Sequence, residues 1–309
     1  MNLKNLFFTD NQLRPVWRIS LFIFILVILF IPIILILKFI PKNIIFEDQR
    51  LFLLISSFPL FIVVMLGSFL MTKFIDKKPF NTIGFAFHSN MKKDIIEGLI
   101  IGFILISIVF FIQLIFGIIK ISWYGFPRYV LLINFIFYVI IFSIQSSGEE
   151  AFFRGYLFQT LIEGTNKFIA LIAISIIFGF IHIFNPNASI FACFNVTISG
   201  IFFSIAYLKT RSLWFPSALH FSWNFFQGFF YSFPVSGIKI NPRLFVLENN
   251  APEIFTGGDF GPEGSLIVSV VFFIAIIYIY KSKRFSISND MKEILSDNVK
   301  NNYESKWNI

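Results

Sequence analysis

Three short polar motifs interrupt long apolar stretches of this 309-residue chain. The first has two adjacent carboxylates and an arginine four residues after the second one. Each of the other two carries one histidine, and the last also carries an asparagine. Together they hold six side chains that can take part in chemistry: Glu149, Glu150, Arg154, His182, His220 and Asn224. A charged group inside a bilayer costs from ~3 to more than ~10 kcal/mol, so it usually marks a function or a partner.

These residue types favour hydrolysis by an activated water molecule. A carboxylate beside a histidine can take a proton from water, because burial moves the pKa of a carboxyl group towards neutrality. His220 and Asn224 are one helical turn apart and can donate two hydrogen bonds to a tetrahedral oxyanion. The chain has no G-x-S-x-G motif, and Cys193 has no flanking base in the sequence, which disfavours an acyl-enzyme.

A metal ion is a second means of activating water. Glu149, His182 and His220 form a His₂Glu set, which is a known arrangement of catalytic zinc. The H-E-x-x-H signature of many zinc peptidases is absent from the chain. The sequence therefore leaves open both a divalent metal such as zinc and a metal-free mechanism.

Each motif also has a structural interpretation. The apolar run before Glu149 can end at Gly148 and leave the charges in water. A lone histidine such as His182 is often a hydrogen-bonded structural residue, and His220 with Asn224 can hold helices together.

The elements that position these residues are predicted to be membrane-spanning helices. Hydrophobic residues make up 57% of the chain, charged residues 14%, and the mean hydropathy is +0.80. These values exclude a disordered chain and an ordinary soluble enzyme, and one cysteine excludes a disulfide scaffold. The fold class is predicted to be all-α, a polytopic membrane protein with about eight transmembrane helices in one bundle. The predicted spans are residues 19–37, 51–72, 98–119, 129–148, 168–184, 189–208, 212–233 and 265–280.

The loop charges predict an orientation in the cell membrane. With the N-terminus in the cytoplasm, the inner segments hold 18 of the 25 Lys and Arg residues and the outer segments hold 7. This bias favours both termini inside. We divide the chain into an N-terminal region with two transmembrane helices (1–90), a catalytic core (91–281) and a polar, solvated cytoplasmic tail (282–309).

Helix geometry predicts that the motifs converge. Residues 151–162 are largely apolar and the first strong turn signal is at 163–166, so the helix should continue past Glu149. Glu150 and Arg154 then share a face and can form an ion pair, with Glu149 about 100° away. If 163–166 is a hairpin tip, Glu149 and His182 lie at the same depth, about 25 Å from it. From a second tip at 209–212, His220 lies about 14 Å and Asn224 about 20 Å away, so the motifs converge if the first hairpin projects further into the cytoplasm.

Two further polar features are predicted to be bystanders. The Gly-rich segment 256–265 lacks a P-loop lysine, and Asp259 and Glu263 would repel phosphate. It is better explained as a loop leading into the last helix, with Ser265 as the N-cap. His88 lies in the polar loop before the third span and is expected to take no part in the site.

The three motifs, in this order, resemble the signature of the CAAX protease and bacteriocin-processing (CPBP, or Abi) family. The resemblance covers roughly residues 90–280 and implies an all-helical intramembrane endopeptidase. It implies that Glu149 is the base that activates water, assisted by His182, and that His220 and Asn224 stabilise the oxyanion. Glu150 and Arg154 would have supporting roles. The family has been described both as metalloproteases and as metal-free glutamate proteases, so the metal question stays open.

The resemblance also implies partners: membrane lipid and a membrane-associated or lipidated peptide substrate, with no nucleic acid. The composition hints at a bacterial source, in which prenylated CAAX proteins are not typical substrates. Two other functions fit a cluster of polar residues between helices. One is a non-catalytic bacteriocin self-immunity or membrane scaffold protein, and the other is a proton-coupled transporter. The chain lacks the repeated broken-helix pattern of many transporters, so that function ranks last.

Overall fold

The computed structural model describes residues 6–9, 12–39, 49–125, 127–241 and 244–296. Their architecture is all-α, as predicted, with ten α-helices of seven residues or more. These are α1 (Pro15–Leu37), α2 (Gln49–Leu70), α3 (Met91–Ile115), α4 (Arg128–Glu150), α5 (Phe158–Gly164), α6 (Lys167–Ile181), α7 (Ile190–Thr210), α8 (Trp214–Phe225), α9 (Leu266–Lys281) and α10 (Asn289–Ser296). Two short antiparallel pairs join β1 (Phe8–Thr9) to β2 (Gln12–Leu13) and β3 (Ile119–Trp123) to β4 (Phe245–Asn249).

Six helices of the described residues are long and apolar enough to cross a membrane. They overlap six of the eight predicted spans, and the other two spans correspond to the shorter helices α8 and α9. Helix α8 has 12 residues and is followed by a π-helical turn, Phe226–Phe230. Nearly all of its side chains are buried, because it packs against α3, α4 and α7. A helix enclosed by other helices does not need the full length of a lipid-facing span.

The helix that carries the first motif continues past the acidic pair, as predicted. After Glu150 the chain forms a π-helical turn, Ala151–Leu157, with a kink at Gly155 (φ −75°, ψ −117°), and then α5. The tip at 163–166 is also confirmed. There the side chain of Asn166 accepts hydrogen bonds from the amides of Phe168 and Ile169, both at 3.0 Å, and so begins α6.

The connecting segments meet in two groups. In the group at the 163–166 tip, Arg18 of α1 forms ion pairs with Asp76 at 2.8 Å and with Glu163 at 2.5 Å. In the other group, β3 pairs with β4, and the Asn185 amide donates to the carbonyl of Ser236 at 3.2 Å. Eight helices that cross the membrane in alternating directions would place the connecting segments in these same two groups. Which group faces the cytoplasm stays a prediction from the loop charges.

The predicted solvated tail is wrong for residues 289–296, which form α10. Met291 and Leu295 are four residues apart on one helical face and are buried with Ala86. The Asp290 carboxylate accepts hydrogen bonds from the amide and hydroxyl of Ser89. Residues 297–309 of the predicted tail lie outside the described residues.

Small residues allow α3 to approach α8 closely. Gly98 and Gly102 are four residues apart, and both face the backbone of α8. A Cβ atom at Gly102 would lie 2.6 Å from the carbonyl oxygen of Leu219. Close approach of helices at glycines spaced in this way is common in membrane proteins. The contact fixes the helix that carries His220 and Asn224.

Replacing Gly102 with leucine is expected to push α8 away from α3. Overpacking of this kind costs about 1–3 kcal/mol, and here the obstacle is backbone, which cannot rotate away. The melting temperature of the purified protein in detergent should therefore fall. Ile104→Leu on the exposed face of the same helix is the matched control and should melt like the unmodified protein. Identical melting curves for the two variants would contradict the proposed role of Gly102.

Candidate active site

A fully buried ion pair connects the first motif to α7. Glu150 in the last turn of α4 accepts a hydrogen bond from Nη1 of Arg154 at 3.0 Å, which is the predicted i,i+4 pair. Arg154 also donates through Nη2 to the carbonyl of Gly200 at 3.0 Å and through Nε to Ser204 at 3.4 Å. Its guanidinium lies over the ring of Phe178, 4.6 Å from the centroid. The charges are therefore paired and enclosed, as burial in a bilayer demands.

His220 of α8 shares the same Glu150 oxygen. Its Nδ1 lies 3.0 Å from Oε1 of Glu150, so Nδ1 carries a hydrogen and donates to the carboxylate. The imidazole stacks on Phe203, with ring centroids 4.8 Å apart. These contacts fix the orientation of the ring and leave Nε2 free to face other groups.

Glu149 points away from Glu150, in agreement with their difference in helical phase. Its Oε2 is 3.9 Å from Nε2 of His220, and its Oε1 accepts a hydrogen bond from Gln145 at 3.1 Å. The Glu149 side chain is 17% exposed, whereas that of Glu150 is fully buried. Glu149 is thus the carboxylate of this pair that a water molecule can reach.

His182 caps the C-terminus of α6, and its imidazole is also held in one orientation. Its Nδ1 donates to the carbonyl of Phe178 at 2.7 Å, and the two rings make an edge contact with centroids 4.7 Å apart. The other nitrogen, Nε2, is left to act as a base or an acceptor.

One cavity collects side chains from α6, α7 and α8. His182, His220 and Asn224 line it together with apolar side chains such as Phe178 and Trp223. Of the six residues predicted for the site, these three share the cavity. Glu149 approaches it through His220, and Glu150 with Arg154 lies behind the His220 imidazole.

Four polar residues of the cavity were not predicted: Asn195, Ser199, Ser236 and Glu263. Ser265 is the N-cap of α9, as predicted, with its hydroxyl accepting from the Val268 amide at 3.3 Å. Glu263 lies two residues earlier and is buried, although the sequence analysis assigned it to a loop. The one available signal was an acidic residue placed between glycine and proline next to an apolar helix.

His88 lies elsewhere. Its Nε2 is 3.0 Å from the hydroxyl of Ser212, and its Nδ1 is 3.2 Å from that of Ser288. Burial lowers the pKa of His88, which favours the neutral imidazole in this contact between the chain segments around α10. The histidine is thus outside the candidate site, although it is not a solvated loop residue.

The residues were also compared with the requirements of a metal centre. Over the described ranges, no three His, Cys, Asp or Glu side chains are arranged to hold a metal ion. The predicted set of Glu149, His182 and His220 does not meet that requirement. Zinc dependence stays a prediction.

Comparison with known proteins points to a family. Residues 129–226 match the family model described as type II CAAX prenyl endopeptidase Rce1-like, and this range contains all six predicted site residues. A Bacillus subtilis relative, "Uncharacterized protein YyaK", is 27% identical over 205 residues, which cover 63% of this chain and 67% of the relative. A second protein from the same organism, "Putative membrane peptidase YdiL", is 33% identical over 78 residues.

That second alignment covers 25% of this chain and 30% of the relative. The chain thus spans about two thirds of the first relative and less than one third of the second. No solved structure matches the chain. The family match, which covers about a third of the chain, and the three motifs within it support a relationship to the CAAX protease and bacteriocin-processing family of intramembrane proteases.

Proposed function

We propose that this protein is a membrane-embedded endopeptidase that hydrolyses a peptide bond with water activated by Glu149 and His182. The observation that carries the proposal is the position of Glu149, a partly exposed carboxylate 3.9 Å from the imidazole of His220, which lines a cavity together with His182. The surrounding helices exclude bulk water, which strengthens each electrostatic interaction inside the site.

The first step is attack by water on the scissile carbonyl carbon. Glu149 takes one proton from the water as the new C–O bond forms, and His182 Nε2 holds the water by hydrogen bonding. The carbonyl π electrons move to oxygen and give the tetrahedral oxyanion. When this intermediate collapses, the C–N bond breaks and the proton on Glu149 passes to the leaving amine. The products are a carboxylate terminus and a free amine.

His220 and Asn224 are the proposed donors to the oxyanion. Because Nδ1 of His220 already donates to Glu150, a second donation from Nε2 requires the doubly protonated imidazolium. The two neighbouring carboxylates, Glu149 and Glu150, favour this cation. Removing one donor to an oxyanion typically lowers kcat about 10²–10³-fold.

Glu150 and Arg154 act on the reaction through His220. The Arg154 guanidinium balances the charge of Glu150 and fixes it against α7, so the carboxylate can hold the imidazole at one angle. The two residues are therefore positioning residues in this mechanism.

The proposed substrate is a membrane-associated peptide, including one that carries a lipid. Aromatic side chains, among them Phe178, Trp223 and Phe272, line the cavity and suit apolar substrate groups. The scissile segment must be extended at the site, because a helical segment keeps its carbonyls within its own hydrogen bonds.

Replacing Glu149 with glutamine keeps the size of the side chain and removes the base. We expect kcat to fall about 10²–10⁴-fold, the usual contribution of a general base. The test is cleavage of a panel of apolar and lipidated peptides by the purified protein in proteoliposomes, followed by mass spectrometry. Glu248→Gln, which changes an exposed carboxylate on β4, is the control and should be fully active. Equal turnover by the two variants would remove Glu149 from the mechanism.

Removal of metal ions tests whether the reaction depends on zinc. We expect cleavage to persist after dialysis against a strong chelator, because the described residues contain no three-ligand metal site. A zinc peptidase treated in parallel shows that the chelation was effective. Loss of activity that added zinc restores would contradict a metal-free mechanism.

A further inference from the structure

Glu263 has a buried carboxylate in the same cavity and is not part of the three motifs. It lies in the 3₁₀ turn Pro262–Gly264 that precedes α9, and 7% of its surface is exposed. Its Oε2 accepts hydrogen bonds from the Gln227 amide at 3.0 Å and from the Ser236 backbone amide at 2.8 Å. Its Oε1 accepts from the Ser236 hydroxyl at 3.2 Å.

The Gln227 contact leads to the third motif. Gln227 lies three residues after Asn224, in the π-helical turn that extends α8. Its amide also donates to the carbonyl of Pro234 at 2.7 Å. Glu263 thus holds the end of the helix segment that presents Asn224 to the cavity.

The Ser236 contact leads to the second motif. The carbonyl of Ser236 accepts a hydrogen bond from Asn185 at 3.2 Å. Asn185 follows the 3₁₀ turn His182–Phe184, so it is three residues beyond His182. The same carboxylate therefore connects, through one intervening residue, to the end of α6.

The backbone of Glu263 is fixed independently of its side chain. Asn195 of α7 donates to the carbonyl of Glu263 at 2.7 Å and to that of Ser265 at 2.9 Å. Burial raises the pKa of Glu263, and the hydrogen bonds from Gln227 and Ser236 oppose that rise. The buried carboxylate accepts hydrogen bonds from several donors at once. It can therefore hold the segments that carry those donors, around Gln227 and Ser236, in fixed relative positions.

We propose that Glu263 is a positioning residue that sets the distance between His182 and Asn224 by holding Gln227 and Ser236 to one carboxylate. The inference rests on the proposed peptidase function for its catalytic consequence, and on the hydrogen bonds alone for its structural part. A misplacement of about 1 Å in reacting groups can cost about 10²-fold in rate. Substrate binding depends on many other contacts of the cavity and is affected less.

The first experiment measures steady-state cleavage in proteoliposomes by Glu263→Ala, Gln227→Ala and the double variant. We expect kcat to fall about tenfold or more with KM within about twofold, since the lost interaction acts on the geometry of the reaction. The double variant should be no slower than the slower single variant, because both changes break one connection. Asp259→Ala, an exposed acidic residue of the same Gly-rich segment, is the matched control and should keep its activity.

The second experiment needs no activity. Hydrogen–deuterium exchange of the segment 234–240 is measured in detergent, because the Ser236 amide donates directly to Glu263. In Glu263→Ala this amide should exchange about tenfold faster or more, while amides of α3 stay protected. Glu263→Gln, which keeps the length and one acceptor, should give intermediate exchange and intermediate kcat. It also serves as the folded variant if the alanine form is unstable.

The outcomes separate the two proposals. If the unmodified protein cleaves peptide and Glu149→Gln does not, an unchanged kcat in both Glu263 variants overturns the positioning role. A general loss of protection throughout the helices, together with changes in both kcat and KM, also overturns the positioning role. That result would show that Glu263 acts in folding alone. If the unmodified protein cleaves none of the peptides, the proposed function fails. Exchange at Ser236 then still decides whether Glu263 holds this segment, and unchanged exchange overturns that claim.

Discussion

The architecture of this protein depends on one oxygen atom of Glu150 that accepts hydrogen bonds from both Arg154 and His220. Inside an apolar bundle, a carboxylate, a guanidinium and an imidazole are tolerated only when they meet. Their meeting ties α4 and the following π-helical turn to α8, and Arg154 extends the connection to α7. The close packing of α3 against α8 at Gly98 and Gly102 and this polar junction together restrict how the helices can be arranged. The cavity is a consequence of that arrangement.

The two imidazoles of the cavity are each held through Nδ1, but by different partners. Nδ1 of His220 donates a hydrogen bond to the carboxylate of Glu150, and Nδ1 of His182 donates one to the backbone carbonyl of Phe178. The two rings are therefore not equivalent: Nδ1 of His220 faces a charged carboxylate, whereas Nδ1 of His182 faces a neutral carbonyl. This difference is in line with the separate roles proposed for them, with His220 donating to the oxyanion and His182 holding the water.

The sequence predicts those parts of the site that follow from helical periodicity. The pair of Glu150 with Arg154, the continuation of α4 and the tip at 163–166 depend on local spacing, and the structure has all three. Glu263 could not be found in this way, because its position depends on the path of the long segment between α8 and α9. The contact of Gly98 and Gly102 with α8 and the burial of Met291 depend likewise on which surfaces meet across the bundle. The periodicity of a single helix does not indicate which other helix its faces will contact.

The unbroken stretch from Arg128 to Gly164 has 37 residues, and a straight α-helix of that length measures about 55 Å. The hydrocarbon layer of a bilayer is about 30 Å thick. The surplus, reduced by the bend at Gly155, has to be accommodated by inclination or by protrusion into the headgroup layer. Arg18, Asp76, Lys78 and Glu163 form a cluster of ion pairs at the far end of this stretch. Charged groups are costly within the hydrocarbon layer. The cluster therefore favours protrusion of this end of the helix over its burial in the lipid.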